Sequence, residues 1–127
     1  TEDFDDPADM GSFAADQAPV MMATHSIDTN AYLYANLWSK QVTGFTRQEL
    51  IGKPVLQFIH PDDHDKALAY HHEAINTGQR VEFEYRLRIK SDSASPAYSG
   101  AHSSCIFTQG TLVVSTRLSE MLHRQPS

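Results

Sequence analysis

Residues 81–89, VEFEYRLRI, constrain this chain more than any other stretch. Val81, Phe83, Tyr85, Leu87 and Ile89 alternate with Glu82, Glu84, Arg86 and Arg88. A period of two with one apolar and one charged face marks a half-buried antiparallel strand, whose inner face has to be covered. The cover is predicted just upstream, at His60-Pro61-Asp62-Asp63. Pro61 disfavours helix at the residue before it and suits the first turn of a helix after it, while Asp62 and Asp63 complement the positive end of that helix. The helix should run from Asp62 to Thr77 and end on Gly78. Its apolar stripe reads Leu68, His72 and Ile75, with Ala67, Tyr70, His71 and Ala74 beside it.

Short pieces precede this helix. Thr46 is a cap residue, Gly52-Lys53-Pro54 breaks the chain, and Val55, Leu56, Phe58 and Ile59 form a brief apolar run. Further upstream, residues 20–25 and 31–36 flank the turn-rich Ser26-Ile27-Asp28-Thr29-Asn30 and read as a hairpin with Tyr32 and Tyr34 on one face. Trp38, Val42 and Phe45 then lie at near-helical spacing after Asn36, a plausible cap, so a short helix should stop at Gly44. Residues 1–11 carry Glu2, Asp3, Asp5, Asp6 and Asp9 with no basic residue and read as a flexible acidic leader, followed by a turn or two of helix over 12–18.

After Lys90 the texture changes. Residues 91–109 are atypical and Ser-rich, with Ser91, Ser93, Ser95, Ser99, Ser103 and Ser104 and little periodicity. Two strands are expected at 105–109 and 111–116 around Gln109-Gly110, and residues 118–127 form a C-terminal connector with a short amphipathic helix over 118–124. No internal repeat is visible. The elements assemble into an α+β fold: a five-stranded antiparallel sheet with short helices and one long helix packed on one face.

With 127 residues the chain supports one core. A formal net charge of −6, with ten scattered basic residues, excludes duplex nucleic acid or an anionic membrane as main partner. A single cysteine, Cys105, excludes an intrachain disulfide and a cysteine-based zinc site, and fits a reducing, cytoplasmic setting. No apolar run approaches the roughly 20 residues that span a bilayer, so membrane insertion is not expected.

The motifs carry a resemblance as well. Ala18-Pro19-Val20-Met21, Tyr34-Ala35-Asn36 with Trp38, Thr43-Gly44-Phe45, Glu49-Leu50-Ile51-Gly52, Ile59-His60-Pro61-Asp62-Asp63, Thr77-Gly78 and Phe83-Glu84-Tyr85-Arg86-Leu87 occur in one order. Together they resemble a PAS sensor domain of the fold-3 type common in bacterial histidine kinases and cyclic-dinucleotide signalling proteins. The resemblance covers about residues 12–90 within a sensor domain placed at 12–117. Beyond it, Lys90-Ser91-Asp92-Ser93 replaces the usual Asp-Gly turn, no second Trp is present, and Ser115-Thr116-Arg117-Leu118 stands where Asp-Ile-Thr is usual. The resemblance implies a non-catalytic sensory module that binds a small molecule or mediates homodimerisation. It also implies a downstream kinase or cyclase reached through the flanking segments.

Candidate chemistry is sparse. Seven histidines invite a metal, but Pro61 separates His60 from His64, so the two rings need not share a helical face. The resemblance allows haem with His71 as axial ligand, flanked by Ala67 and Tyr70, though no cofactor is the simpler expectation. The flavin photosensors of that family place a cysteine on the short helices, and none is there. No Gly-x-Ser-x-Gly elbow and no phosphate-cradling loop occurs, and Asp62-Asp63 is explained by the helix start. A cavity between sheet and helices is the remaining site, with Met21, Tyr32, Tyr34, Trp38, Phe45, Phe58, Tyr70, Phe83 and Tyr85 expected around it, or filling it as a packed core.

Overall fold

A computed structural model describes residues 20–119. Its elements are β1 (Met21–Ser26), β2 (Tyr32–Ala35), α1 (Trp38–Thr43), α2 (Arg47–Leu50), α3 (His64–Thr77), β3 (Val81–Ile89), β4 (Ala97–Thr108) and β5 (Thr111–Leu118), with 3-10 turns at Val55–Phe58 and Pro61–Asp63. The strands form one sheet in the order β2-β1-β5-β4-β3, every neighbouring pair antiparallel. The α+β architecture expected from the sequence is therefore present. The acidic leader and the helix over 12–18 lie outside the described residues, as does most of the helix over 118–124. Leu118 itself ends β5.

The alternation in β3 is realised as predicted, with Val81, Phe83, Tyr85 and Leu87 buried and Glu82, Glu84 and Arg86 exposed. Pro61 starts a 3-10 turn that runs directly into α3, and Gly78 closes it in the left-handed conformation. Asp63 does more than complement the helix end. Its carboxylate accepts hydrogen bonds from the Arg86 backbone N–H at 2.8 Å, from Nε at 3.0 Å and from Nη2 at 2.9 Å, so it ties the start of α3 to β3. The Arg86 guanidinium holds the Asp63 carboxyl down to about 2. His60 and His64 serve the same junction. The His60 N–H donates to Arg86 O and its Nδ1 accepts from the Asp62 N–H, while His64 Nε2 bonds Ile59 O at 2.8 Å. These two imidazoles are spent on backbone groups.

Two short-range signals resolve differently. Thr46 forms the expected cap, as a capping box with Glu49, whose carboxylate also meets Lys90 at 2.7 Å. Asn36 does not cap α1, whose cap position is Leu37. Instead its side chain accepts from the Met22 N–H and donates to Val20 O, pinning the end of β2 to β1. Gly44 ends α1 with φ 85, and a Cβ there would meet Lys90 Cβ at 2.9 Å, so the close approach of α1 to the end of β3 requires glycine.

Three expectations need correction. Tyr32 and Tyr34 do not share a face: a β-bulge shifts the register from Thr24↔Tyr34 to His25↔Tyr32. Tyr32 therefore joins inward-facing His25, while Tyr34 pairs with Thr24 on the other face. The buried face of α3 is Ala67, His71 and Ala74, one position away from the expected stripe, and His72 is exposed. Residues 97–108 form one long strand, so the strand expected at 105–109 begins eight residues earlier, within the Ser-rich stretch that was expected to be irregular. Its inner face is Ala101, Ser103 and Cys105, all fully buried and small, on the strand that α3 packs against. Gln109 and Gly110, both at positive φ, make the tight turn to β5.

Candidate functional site

The covering helix and the inner sheet face enclose a polar cluster in an otherwise apolar core. Met21, Ala23 and His25 alternate inward on β1; Leu112, Val114 and Thr116 face them from β5, where Thr116 pairs with Met21 and Leu112 with His25. On β4, Ser103 sits between Phe83 of β3 and Thr116 of β5. Its hydroxyl shares hydrogen bonds with Tyr85 Oη at 2.7 Å and Thr116 Oγ1 at 2.8 Å, a buried ladder across three strands. Burial pushes the Tyr85 phenol up, and that of Tyr32 as well, so both stay neutral.

Two imidazoles face each other beside this ladder. His25, 3% exposed, and His71, 4% exposed, have ring centroids 5.7 Å apart. Tyr32 packs edge-on against His25 at 4.9 Å, and Phe83 edge-on against His71 at 5.7 Å. Neither ring nitrogen of His25 has a hydrogen-bond partner, nor has Nδ1 of His71. Buried polar atoms are nearly always paired, and each one left unpaired costs about 1–3 kcal/mol. Burial drags His25 down to about 3, with His71 adding to the effect, and His71 down to about 4, with His72 adding. Both rings are neutral across the physiological range.

Around them the structure leaves a cavity of about 10 Å³, room for roughly one water molecule. Of the residues singled out from sequence, Met21, Tyr32, His71, Phe83 and Tyr85 line it. Phe58 backs Tyr32 with ring centroids at 5.8 Å, and Phe45 lies one ring further out, 5.2 Å from Phe58. Tyr70 is half-buried and stacks on Phe83 at 4.9 Å. Tyr34 is on the opposite sheet face, and half-buried Trp38 stands outside the core cluster. His25, Ser103 and Thr116 were not foreseen. The parity of Met21, Ala23 and His25 along one strand was the available signal for the first, whereas nothing in a serine or threonine announces an inward position.

A haem does not fit this arrangement. His71 points into about 10 Å³ of space between Phe83 and His25, whereas sites for ligands of drug size and above occupy roughly 300–1,000 Å³. No cluster of three or more His, Cys, Asp or Glu occurs among the described residues. Cys105 is buried, and desolvation pushes its thiol up to about 11, far from a reactive thiolate. No helix among the described residues is long and apolar enough to cross a membrane.

A second space lies on the far side of His71. It is a groove of about 70 Å³ walled by Ser26 at the end of β1, by Ile27 and Asn30 of the β1–β2 turn, by Leu68, His72 and Ile75 of α3, and by Leu112 of β5. His71 borders both spaces.

This geometry has relatives. A family profile described as PAS fold matches residues 32–102. Uncharacterized protein y4lL of Sinorhizobium fredii is 32% identical over 74 residues, a span covering 58% of this chain and 9% of that protein. The chain thus spans a small part of this relative. The PAS domain of a Colwellia psychrerythraea protein matches with a TM-score of 0.70 at 17% identity, over 87% of this chain and 95% of that one. The PAS domain of the Cronobacter turicensis RpfR quorum-sensing receptor, in complex with BDSF, matches with a TM-score of 0.67 at 17% identity, over 81% and 96%. Identities this low speak for the fold alone. The profile, however, spans more than half of the sequence, and the chain belongs to the PAS family, whose domains are sensory modules and not catalysts.

Proposed function

We propose that this domain is the ligand-sensing part of a larger signalling protein, reading a small molecule between the sheet and α3. The signal is relayed through residues 12–18 and 118–124 to a kinase or cyclase output domain, in a cytoplasmic homodimer whose sensor domain spans 12–117. The observation that carries the reading is the unpartnered imidazole pair beside the cavity. A core built only for stability would not bury three ring nitrogens without partners when apolar side chains of the same shape would fill the space. The state described here has room for about one water, so sensing requires a second arrangement with a larger cavity, stabilised by the ligand's preference for it. The RpfR domain in complex with BDSF and with C12:0 supports ligand occupancy of this architecture.

The test is stabilisation by mass action. Thermal unfolding is followed with and without a panel that includes BDSF, C12:0, ethylene glycol and a set of small metabolites. At least one compound should raise the midpoint in a concentration-dependent way, and the gain should vanish in His25→Phe. No gain across the panel contradicts the reading.

A further inference from the structure

The pair of spaces on either side of His71 narrows the ligand class, an inference that rests on the sensing role just proposed. We propose that His71 is a movable partition between the surface groove and the core cavity, and that it admits a small uncharged molecule with a short apolar body and a hydrogen-bonding group. The body lies in the groove against Leu68, Ile75 and Leu112, and the polar group reaches the free nitrogens of His25 and His71.

Four observations carry this. The wall between the two spaces is one side chain thick, since His71 lines both. The atoms without partners, both nitrogens of His25 and Nδ1 of His71, belong to residues that line the core cavity, so that is where a polar ligand atom gains most. The groove's walls toward α3 and β5 carry the aliphatic Leu68, Ile75 and Leu112 beside His71 and His72, and Ile27 at its rim is 43% exposed. Finally, no Asp, Glu, Lys or Arg lines either space, so a charged group that enters the core cavity would be desolvated with no counter-charge to meet it. A neutral imidazole pairs with an alcohol or amide, which brings both donor and acceptor. The burial that keeps His25 and His71 uncharged removes the cation an anionic group would need inside the core cavity, which His72, lining only the groove, does not reach.

An isosteric series decides it. Butyramide and 1-butanol carry the proposed chemistry; butyrate, n-butylammonium and pentane are of similar length but anionic, cationic and apolar. Each is titrated into the isotope-labelled full chain, with backbone amide shifts and imidazole ¹⁵N shifts recorded. The expected result is saturable binding of butyramide or 1-butanol, with shifts concentrated at Ile27, Leu112, His25 and His71. Affinity for butyrate, n-butylammonium and pentane should be at least about tenfold weaker, the equivalent of one hydrogen bond to a buried polar group. His71→Phe should abolish the response while keeping a folded spectrum, and His71→Gln should recover part of it. If His71→Phe does not fold, His25→Phe carries the same expectation from inside the cavity. Tighter binding of butyrate or n-butylammonium, or shifts confined to the outer sheet face, overturns the proposal and leaves the sensing role standing. A flat response to all five probes overturns it too, and the metabolite panel above then decides separately whether the domain senses anything.

Discussion

Lowering the pH from 7 to 5 tests whether two imidazoles are held neutral in the core. An unfolded-chain histidine titrates near 6.5, whereas burial holds His25 at about 3 and His71 at about 4. A folded value below the unfolded one means that between roughly pH 6.5 and 4 the unfolded state binds more protons, so stability falls as the pH falls. At pH 5 an unfolded histidine is almost fully protonated and these folded ones almost fully neutral. Each then contributes roughly 2 kcal/mol of lost stability relative to pH 7, or roughly 3–4 kcal/mol for the pair. The titratable neighbours lining the cavity are Tyr32 and Tyr85, both pushed up by burial, and no carboxylate lines it to rescue the charge. Asp63 and Glu49, held at about 2 chiefly by Arg86 and Lys90, lose their contribution only below the unfolded carboxylate range near 4, outside this window. His25→Phe removes one titration and, because neither nitrogen is bonded, no hydrogen bond. Urea unfolding at pH 7, 6 and 5, followed by Trp38 fluorescence, should show the wild-type midpoint falling by about 2 M or more, and by about half as much in His25→Phe. The variant should be no less stable than wild type at pH 7. Equal losses in both proteins would refute the reasoning.

Other perturbations address the frame around the site. Asp63→Asn removes the charge that meets Arg86, so its melting temperature should fall by several degrees, and the stability lost between pH 4 and 2 should be smaller in the variant than in wild type, with the Glu49 share remaining. Gly44→Ala forces a left-handed alanine whose Cβ meets Lys90, and calorimetry should show a loss of roughly 2–3 kcal/mol; a loss within error would mean that α1 and the end of β3 are not held together. Residues 12–127 should self-associate weakly in sedimentation equilibrium, and a monomer at high concentration counts against the proposed homodimer.

How much of this was legible from the residues depended on where contrast existed. β3 was legible because its outer face is charged, and the α3 start because Pro61, Asp62 and Asp63 mark it. β4 was not, because Ala101, Ser103 and Cys105 are an inner face made of small residues and alternate in position without alternating in hydropathy. On α3 the hydropathy of Leu68 and Ile75 drew the expected stripe toward the groove, whereas the sheet accepts only the small Ala67 and Ala74 around His71. Tyr34 was misplaced because a bulge leaves no mark in composition. The site followed the same rule: its aromatic wall was foreseen, but His25 and the Ser103–Thr116 pair are polar residues whose inward placement only the register reveals.

The central claim is that this PAS domain keeps a neutral, unpartnered histidine pair in its core as the receptor for its signal. Long-range ¹H–¹⁵N spectra of the imidazole rings test it most directly. His25 and His71 are predicted to remain neutral as the pH is lowered to 5, and their ring nitrogens to shift together when a stabilising compound is added. Rings that titrate near the ordinary histidine value, or that ignore every stabilising compound, would contradict it.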